Sequence, residues 1–501
     1  MVIRRVIGCF AILALCGGVF LSEYILQVPG ALPRIGLGVT TLLLVALFII
    51  VNVIPNNDEG APGKLRQLGR GVELLLEAVV CATVAIAAFL VIGLARLVDA
   101  SPATWVLNSV VCALVLGAVY LNGALRICIC SQQVAVLLKA LLLSLWWAPV
   151  VNLVVFFAAY IPARNEYRFG LFKHRRNQAR REERVCETRY PLLLVHGIFF
   201  RDWKLLNYWG RIPDELAANG ATVYYGHQQS SASVENSARE LAAQIMQIVG
   251  AVPQGAPFGV PQAIPQGVPQ AVPQAAQPSV PFATQPTVPQ TLPQAAPQLA
   301  PQAVPQGKVN IIAHSKGGLD ARFAVSCLGM SRYVASVTTI STPHRGCRFA
   351  RKALENVPDA IVSQVSKQYG RVFTLLGDKQ PDFFGGVSEL TDEFCADLNG
   401  RTPDASGVLY QSVGTRMRDA RSAGAPLNLG FKIVQAIDGD NDGLVAVSSM
   451  PWGESFLMVD PPGKRGVSHA DVIDQTRKDI KGFDVCELYV GIAQKLKERG
   501  L

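Results

Sequence analysis

The chain has 501 residues, half of them hydrophobic and 17% charged, with a formal net charge of +9. That length allows about three domains, and the apolar share excludes a polar, disordered chain unable to bury a core. Much of the excess charge sits in one basic segment, which excludes a nucleic-acid binder whose basic residues would cover a folded face.

Residues 1–161 are strongly apolar, with long runs near Val6–Val28, Ile35–Ile54, Leu74–Val91 and Trp105–Leu121, then a longer stretch from Val134 to Ile161. Each of the first four has about the length that crosses a bilayer core. A cleaved signal peptide explains one such run but not several in succession. Buried core helices would show a polar face, which these runs lack. The reading is an all-α, multi-span transmembrane bundle.

Charge sets its expected topology. Arg4 and Arg5 precede the first run, Lys64, Arg66 and Arg70 lie between the second and third, and Arg126 and Lys139 follow the fourth. The other loops hold only Arg34 and Arg96. A basic linker follows at 162–186, with Arg164, Arg168, Lys173, Arg175, Arg176, Arg180, Arg181 and Arg184. The positive-inside rule puts the N-terminus and this linker on the cytoplasmic side, which requires an even number of crossings. Under that rule the stretch from Cys128 to Ile161 is not one span; the alternative, five spans with an external catalytic domain, places the densest basic cluster on the wrong side. The stretch is read as an interfacial helix plus re-entrant segment, or as a hairpin broken near Trp146-Trp147-Ala148-Pro149. The linker is also suited to anionic lipid headgroups.

Beyond it, residues 187–501 alternate β-like and α-like segments, the pattern of a parallel sheet with helices on both faces. Strands are expected at Pro191–Val195, Ala221–Tyr225, Val309–Ile312, Ser336–Ile340 and Phe431–Ala436, with helices at Arg211–Ala218 and Val234–Val249. Val-Pro-Gln repeats without a charged residue interrupt this domain at 251–307. Proline at that density favours polyproline II over a packed core, so a disordered insert is expected, with a proline-recognising protein as its candidate partner.

Ala313-His314-Ser315-Lys316-Gly317-Gly318 lies between the apolar strand Val309–Ile312 and a helix-like stretch. This is the context of a G-x-S-x-G nucleophile elbow, with alanine for the first glycine. The elbow presents Ser315 as a nucleophile above a helix N-terminus. His196-Gly197-Ile198 follows the first strand, so the Ile198 and Lys316 backbone N–H groups are the expected oxyanion donors. If the order is serine, acid, histidine, only His344 and His469 qualify as base, and His469 alone follows the acid candidates. Those lie in Asp438-Gly439-Asp440-Asn441-Asp442-Gly443; local pattern does not choose between Asp440 and Asp442. The same segment imitates the start of an EF-hand loop, but Ser449 stands where the twelfth-position glutamate belongs.

From Tyr190 onward, the insert aside, the chain resembles bacterial triacylglycerol lipases of the α/β-hydrolase superfamily. The resemblance is carried in order by Tyr190-Pro191-Leu192-Leu193-Leu194-Val195-His196-Gly197, Asn219-Gly220-Ala221-Thr222-Val223-Tyr224, the Ala313–Gly318 elbow, Thr342-Pro343-His344-Arg345-Gly346, Asn441-Asp442-Gly443-Leu444-Val445 and Ser468-His469-Ala470-Asp471. It implies an α/β-hydrolase fold and a triad of Ser315, Asp442 and His469. It also implies a structural calcium near the histidine, with Asp471 and Gln475 as oxygen ligands. Phe199-Phe200-Arg201-Asp202-Trp203 departs from the glycine-rich continuation usual in the family, and the membrane domain lies outside the resemblance.

The expected activity is hydrolysis of carboxylic, acylglycerol-type lipid esters through an acyl-enzyme. The alternatives are an acyltransferase with the same triad and a non-catalytic membrane scaffold. Ala350–Phe373 is a candidate amphipathic lid, kinked at Pro358. The expected location is the bacterial inner membrane, with the catalytic domain facing the cytoplasm.

Overall fold

A computed structural model describes residues 2–58, 60–95, 100–198, 208–250, 307–356 and 383–501. The Pro/Gln insert, the Phe199–Trp203 loop and the lid segment from residue 357 to 373 lie outside these residues.

The elements follow in chain order. First come helices α1 (Val2–Cys16), α2 (Gly18–Leu26), α3 (Ala31–Val53), α4 (Gly63–Leu94), α5 (Pro102–Cys130), α6 (Val136–Ser144) and α7 (Pro149–Ala179). Next are β1 (Leu192–Val195), α8 (Ile212–Ala218), β2 (Val223–Tyr225), α9 (Val234–Ile248), β3 (Val309–His314), α10 (Lys316–Cys327) and β4 (Val334–Ile340). Then follow α11 (Arg348–Asn356), α12 (Phe383–Ser388), α13 (Asp392–Arg401), β5 (Leu409–Thr415), α14 (Leu427–Asp438), β6 (Ser455–Val459) and α15 (Val485–Glu498). The chain divides into two compact units. One comprises Met1–Glu187, Trp209–Ala221 and Ile473–Lys495; the other comprises Thr188–Tyr208, Thr222–Val472 and Leu496–Leu501.

In the first unit α3, α4 and α5 are each long and apolar enough to cross a membrane. The pair α1 and α2, bent by 58° at Gly17, makes a fourth crossing if it spans as one. Glycine sets how closely α4 and α5 approach: a Cβ on Gly123 would lie 2.9 Å from the Leu75 nitrogen, and one on Gly71 would lie 3.0 Å from the Gly123 carbonyl. Small residues at such crossings substitute for the hydrophobic drive that lipid removes.

The C-terminus of α3 is held by three arginines. Arg4 donates to the Pro55 carbonyl at 2.9 Å, Arg70 to Val51 at 3.1 Å, and Arg126 to Asn52 and Val53 at 2.9 Å each. A helix leaves its last carbonyls without internal partners and favours cations there. Arg70 is fully buried and also binds Glu77 at 2.9 and 3.1 Å and Glu73 at 3.2 Å, so this charge is paired on every side. Because the start of α1 and the ends of α3 and α5 meet at these arginines, successive segments run in alternate directions.

The next apolar stretch is a hairpin. It breaks between Ser144 and Pro149, where Trp146 lies against α5: a Cβ on Gly117 would be 2.9 Å from its ring. Gly117 precedes the end of α5 by about 20 Å of helix, short of a bilayer core of about 30 Å. The hairpin then returns to its starting end. Glu166 of α7 accepts from the Gln132 N–H at 2.8 Å, and the Tyr167 hydroxyl donates to Asp58 at 2.7 Å.

The basic residues after this level are not all free for lipid. Lys173 lies 3.5 Å from both Glu215 and Asp484, Arg176 lies 2.9 Å from Asp484, and Arg180 lies 2.6 Å from Glu487. These acidic partners come from α8, α15 and the residue before α15, segments that belong to the first unit despite following residue 187.

The second unit is built on a six-stranded parallel sheet ordered β2-β1-β3-β4-β5-β6. Every residue of β1, β3 and β4 is buried, as parallel strands covered on both faces require. Helix α9 buries Val234, Ala238, Leu241, Ala242 and Ile245, spacing that lays one stripe against the sheet core with α10. The turn that carries Ser315 follows β3, between the strand and α10. The chain leaves β1 to form β2 and returns past β1 to β3, so the order reverses between β1 and β3. Ligands bind at such a switch point, beyond the carboxyl ends of the strands.

One expected strand is corrected. Phe431–Ala436 lies within helix α14, where Phe431 and Val434 are buried while Lys432, Ile433, Gln435 and Ala436 are exposed. Burial three residues apart is helical, whereas a half-buried strand alternates. The late sheet positions belong to β5 and β6, for which the sequence reading offers no candidate. The insert departs and returns at one place: a Cβ on Gly307 would lie 3.4 Å from the Cβ of Val249.

Candidate active site

Ser315 sits between β3 and α10 with φ 56° and ψ −131°, a conformation that L-residues rarely adopt. The turn is fixed by a 2.9 Å bond from the Ser315 N–H to the Ile340 carbonyl. Glycine is required around it. A Cβ on Gly317 would meet the His196 carbonyl at 2.4 Å, and one on Gly318 would meet the Thr342 hydroxyl at 2.2 Å. Across the switch point, a Cβ on Gly197 would lie 2.8 Å from that of Ser315, so the turn after β1 stands directly against the serine.

The end of α14 delivers Asp442, which is fully buried. Its Oδ1 accepts the N–H groups of Leu444 at 3.1 Å and Val445 at 2.8 Å, while its Oδ2 lies 2.7 Å from His469 Nδ1. The His469 N–H also donates to the Asp442 carbonyl at 2.8 Å. The backbone bonds fix the carboxylate, and the carboxylate orients the imidazole so that Nε2 is the ring atom left to accept a proton. The His469 ring lies 4.4 Å from that of His314, the residue immediately before Ser315. Asp440 is turned elsewhere, to Arg416 at 2.9 Å.

The expected oxyanion donors are also located here. Lys316 opens α10, so its N–H is among those for which a helix has no internal acceptor; Ile198 follows the Gly197 turn. The Lys316 side chain runs into the interior, 2.8 Å from Asp320 and 3.1 Å from the Ser237 hydroxyl. Burial raises the Asp320 carboxyl to about 7, against the opposing pull of Lys316.

The other histidines have structural surroundings. His344 is buried, 3.2 Å from Arg322 and 2.9 Å from the Thr339 hydroxyl, with its ring stacked on Trp452. Burial and then Arg322 hold its pKa well below the usual histidine value. His196 Nδ1 lies 2.9 Å from the Gly197 carbonyl. Sequence reasoning assigned nothing to His314 or Tyr208. The Tyr208 oxygen accepts the Gly197 N–H at 3.0 Å and lies 2.6 Å from His314 Nδ1, tying the turn after β1 to the residue before the nucleophile. The only signal for this was the position of His314 inside the elbow.

The residues proposed for calcium do not fit it. Arg465 places its guanidinium on Asp471, 2.8 Å from Oδ1 and 3.0 Å from Oδ2, and Ser468 adds hydroxyl and N–H donors at 2.7 and 3.1 Å. A cation already neutralises this carboxylate from within the chain. Among the described residues, no three His, Cys, Asp or Glu side chains gather as a metal site.

No family model matches the chain. It is 28% identical over 230 residues to a triacylglycerol lipase of Pseudarthrobacter phenanthrenivorans, covering 44% of this chain and 55% of the relative. The same identity and length of match hold for a triacylglycerol lipase of Burkholderia plantarii, covering 44% of this chain and 49% of the relative. Its relatives are triacylglycerol lipases. The chain spans about half the length of these two lipases; a third, from Vibrio cholerae, is 26% identical over 344 residues and covered to 91% of its length. Among solved structures, the Staphylococcus hyicus lipase matches 62% of this chain and 96% of its own, with 17% identity and a TM-score of 0.41.

Proposed function

We propose that this chain is a membrane-anchored serine carboxylic-ester hydrolase acting on acylglycerol-type lipid esters. The observation that carries the reading is the 2.7 Å bond between His469 and buried Asp442, with the His469 ring 4.4 Å from that of His314, the residue before the strained Ser315. His469 Nε2 removes the Ser315 hydroxyl proton as Oγ attacks the ester carbonyl. The Ile198 and Lys316 N–H groups stabilise the oxyanion that forms. The imidazolium, held by Asp442, returns the proton to the departing alcohol; water then repeats the attack and frees the acid. No step passes through a metal. Labelling with a fluorophosphonate should mark the wild-type chain and not Ser315→Ala; equal labelling of both, or none of either, defeats the reading.

The apolar helices of the first unit are its anchor, in a bacterial inner membrane, with the catalytic residues facing the cytoplasm. Alternating segments and a returning hairpin support the same side for both chain ends of the bundle. Cys327 is exposed in the second unit and reports on this. In intact cells a membrane-impermeant thiol reagent should leave it unmodified until the cells are opened; modification beforehand reverses the orientation.

A further inference from the structure

The basic residues of α7 separate into two faces. At 100° per residue, Arg164, Arg168 and Arg175 fall within roughly 40° of one another, while Lys173, Arg176 and Arg180 point to the far side. The second set is spent on Glu215, Asp484 and Glu487. The first set is exposed and makes no ion pair among the described residues.

This exposed stripe continues an apolar one. Phe157 and Ile161, each about half exposed, lie on the same side of α7 just before Arg164. Phe172 stands between Arg168 and Arg175 and is 59% exposed. Arg164 and Arg168 flank Glu166 and Tyr167, which contact the loop after α5 and Asp58 beyond α3. That level is the polar end of the bundle. Lipid-facing side chains thus pass directly into guanidinium groups with an aromatic ring among them, the composition favoured where hydrocarbon gives way to headgroups.

We propose that the Arg164–Arg168–Phe172–Arg175 face of α7 binds anionic phospholipid headgroups. Guanidinium forks pair with phosphate oxygens in two-bond geometry, and Phe172 occupies the apolar margin between them. An acidic protein would satisfy the charges but would not account for the unbroken run from Ile161. The proposal rests on the membrane-embedded reading of the first unit.

The full chain, purified in zwitterionic detergent and reconstituted into phosphatidylcholine nanodiscs with graded phosphatidylglycerol, tests this. Resistance to carbonate extraction from its native membrane is measured first, so failure of the membrane reading is seen separately. Wild type should retain phosphatidylglycerol in excess of its bulk fraction and show a higher thermal midpoint as that fraction rises. The triple change R164Q/R168Q/R175Q should weaken retention on the order of a hundredfold, about fivefold for each charge, while R164K/R168K/R175K keeps most of it. Lys173→Gln should lower the midpoint equally in both lipids. Undiminished phosphatidylglycerol enrichment in the glutamine variant overturns the proposal. So does binding of soluble polyglutamate to wild type alone with lipid enrichment equal in both, which assigns the stripe to an acidic protein.

Discussion

Ser315 and Asp442 show two different ways in which single residues are constrained. Ser315 holds a backbone conformation costing on the order of 1–3 kcal/mol, and Gly317 and Gly318 must lack side chains because the His196 carbonyl and the Thr342 side chain fill their Cβ positions. That demand is written locally, which is why the elbow is legible in the sequence. Asp442 is not distinguished locally from Asp440. The choice depends on Arg416, which follows β5 and draws Asp440 away, and on the turn that sets Val445 and Leu444 N–H groups on Asp442. Replacing Asp442 with Asn should leave the fold in place but favour the wrong imidazole tautomer. Ester turnover should fall roughly 10³–10⁴-fold in kcat with little change in KM; steady-state kinetics check this, and an undiminished kcat removes Asp442 from the mechanism. Arg465 and Asp471 are a pairing that spacing alone does not announce.

At the scale of elements, α10 carries its own pH dependence. Asp320 faces Lys316 on the same helix, with Glu240 of α9 and Glu389 after α12 also contributing charge. Its folded value of about 7 lies above the ordinary carboxyl value of 3.8, so the folded chain retains a proton that the unfolded chain releases between those values. Stability from this group therefore declines as pH rises from about 4 to about 7 and is flat above. Asp320→Asn should remove that slope; thermal midpoints in detergent between pH 5 and 8 provide the comparison, and an unchanged slope places its origin elsewhere. Helix α14 shows where element reading failed. Gly430-Phe431-Lys432-Ile433-Val434-Gln435 carries apolar residues at both helical and strand intervals, and only packing of Phe431 and Val434 decides between them. The strongly patterned α9 and the wholly apolar β1 left no such ambiguity.

The whole molecule is less linear than its sequence. The long apolar helices and the buried strands β1, β3 and β4 are legible because they carry long, uniform patterns, whereas β5 and β6 are not. The membership of α8 and α15 was not, since it follows from Lys173, Arg176 and Arg180 meeting acids as far as 308 positions away. The insert, by contrast, is peripheral to the connectivity it interrupts. With a Cβ on Gly307 in van der Waals range of Val249, the two ends of the insert lie close enough to be joined by a short turn. Deletion of residues 251–306 should preserve fluorophosphonate labelling and raise stability by up to about 3 kcal/mol through the shorter closure; loss of labelling would mean that the insert contributes to the site. The three arginines at the end of α3 carry a consequence for biosynthesis. Arg4 is made before α3, Arg70 after it, and Arg126 reaches Asn52 across 74 positions. A nascent chain that has formed α3 must therefore wait through α4 and most of α5 before the last carbonyls receive their partner, so assembly of this end of the bundle is timed by the ribosome.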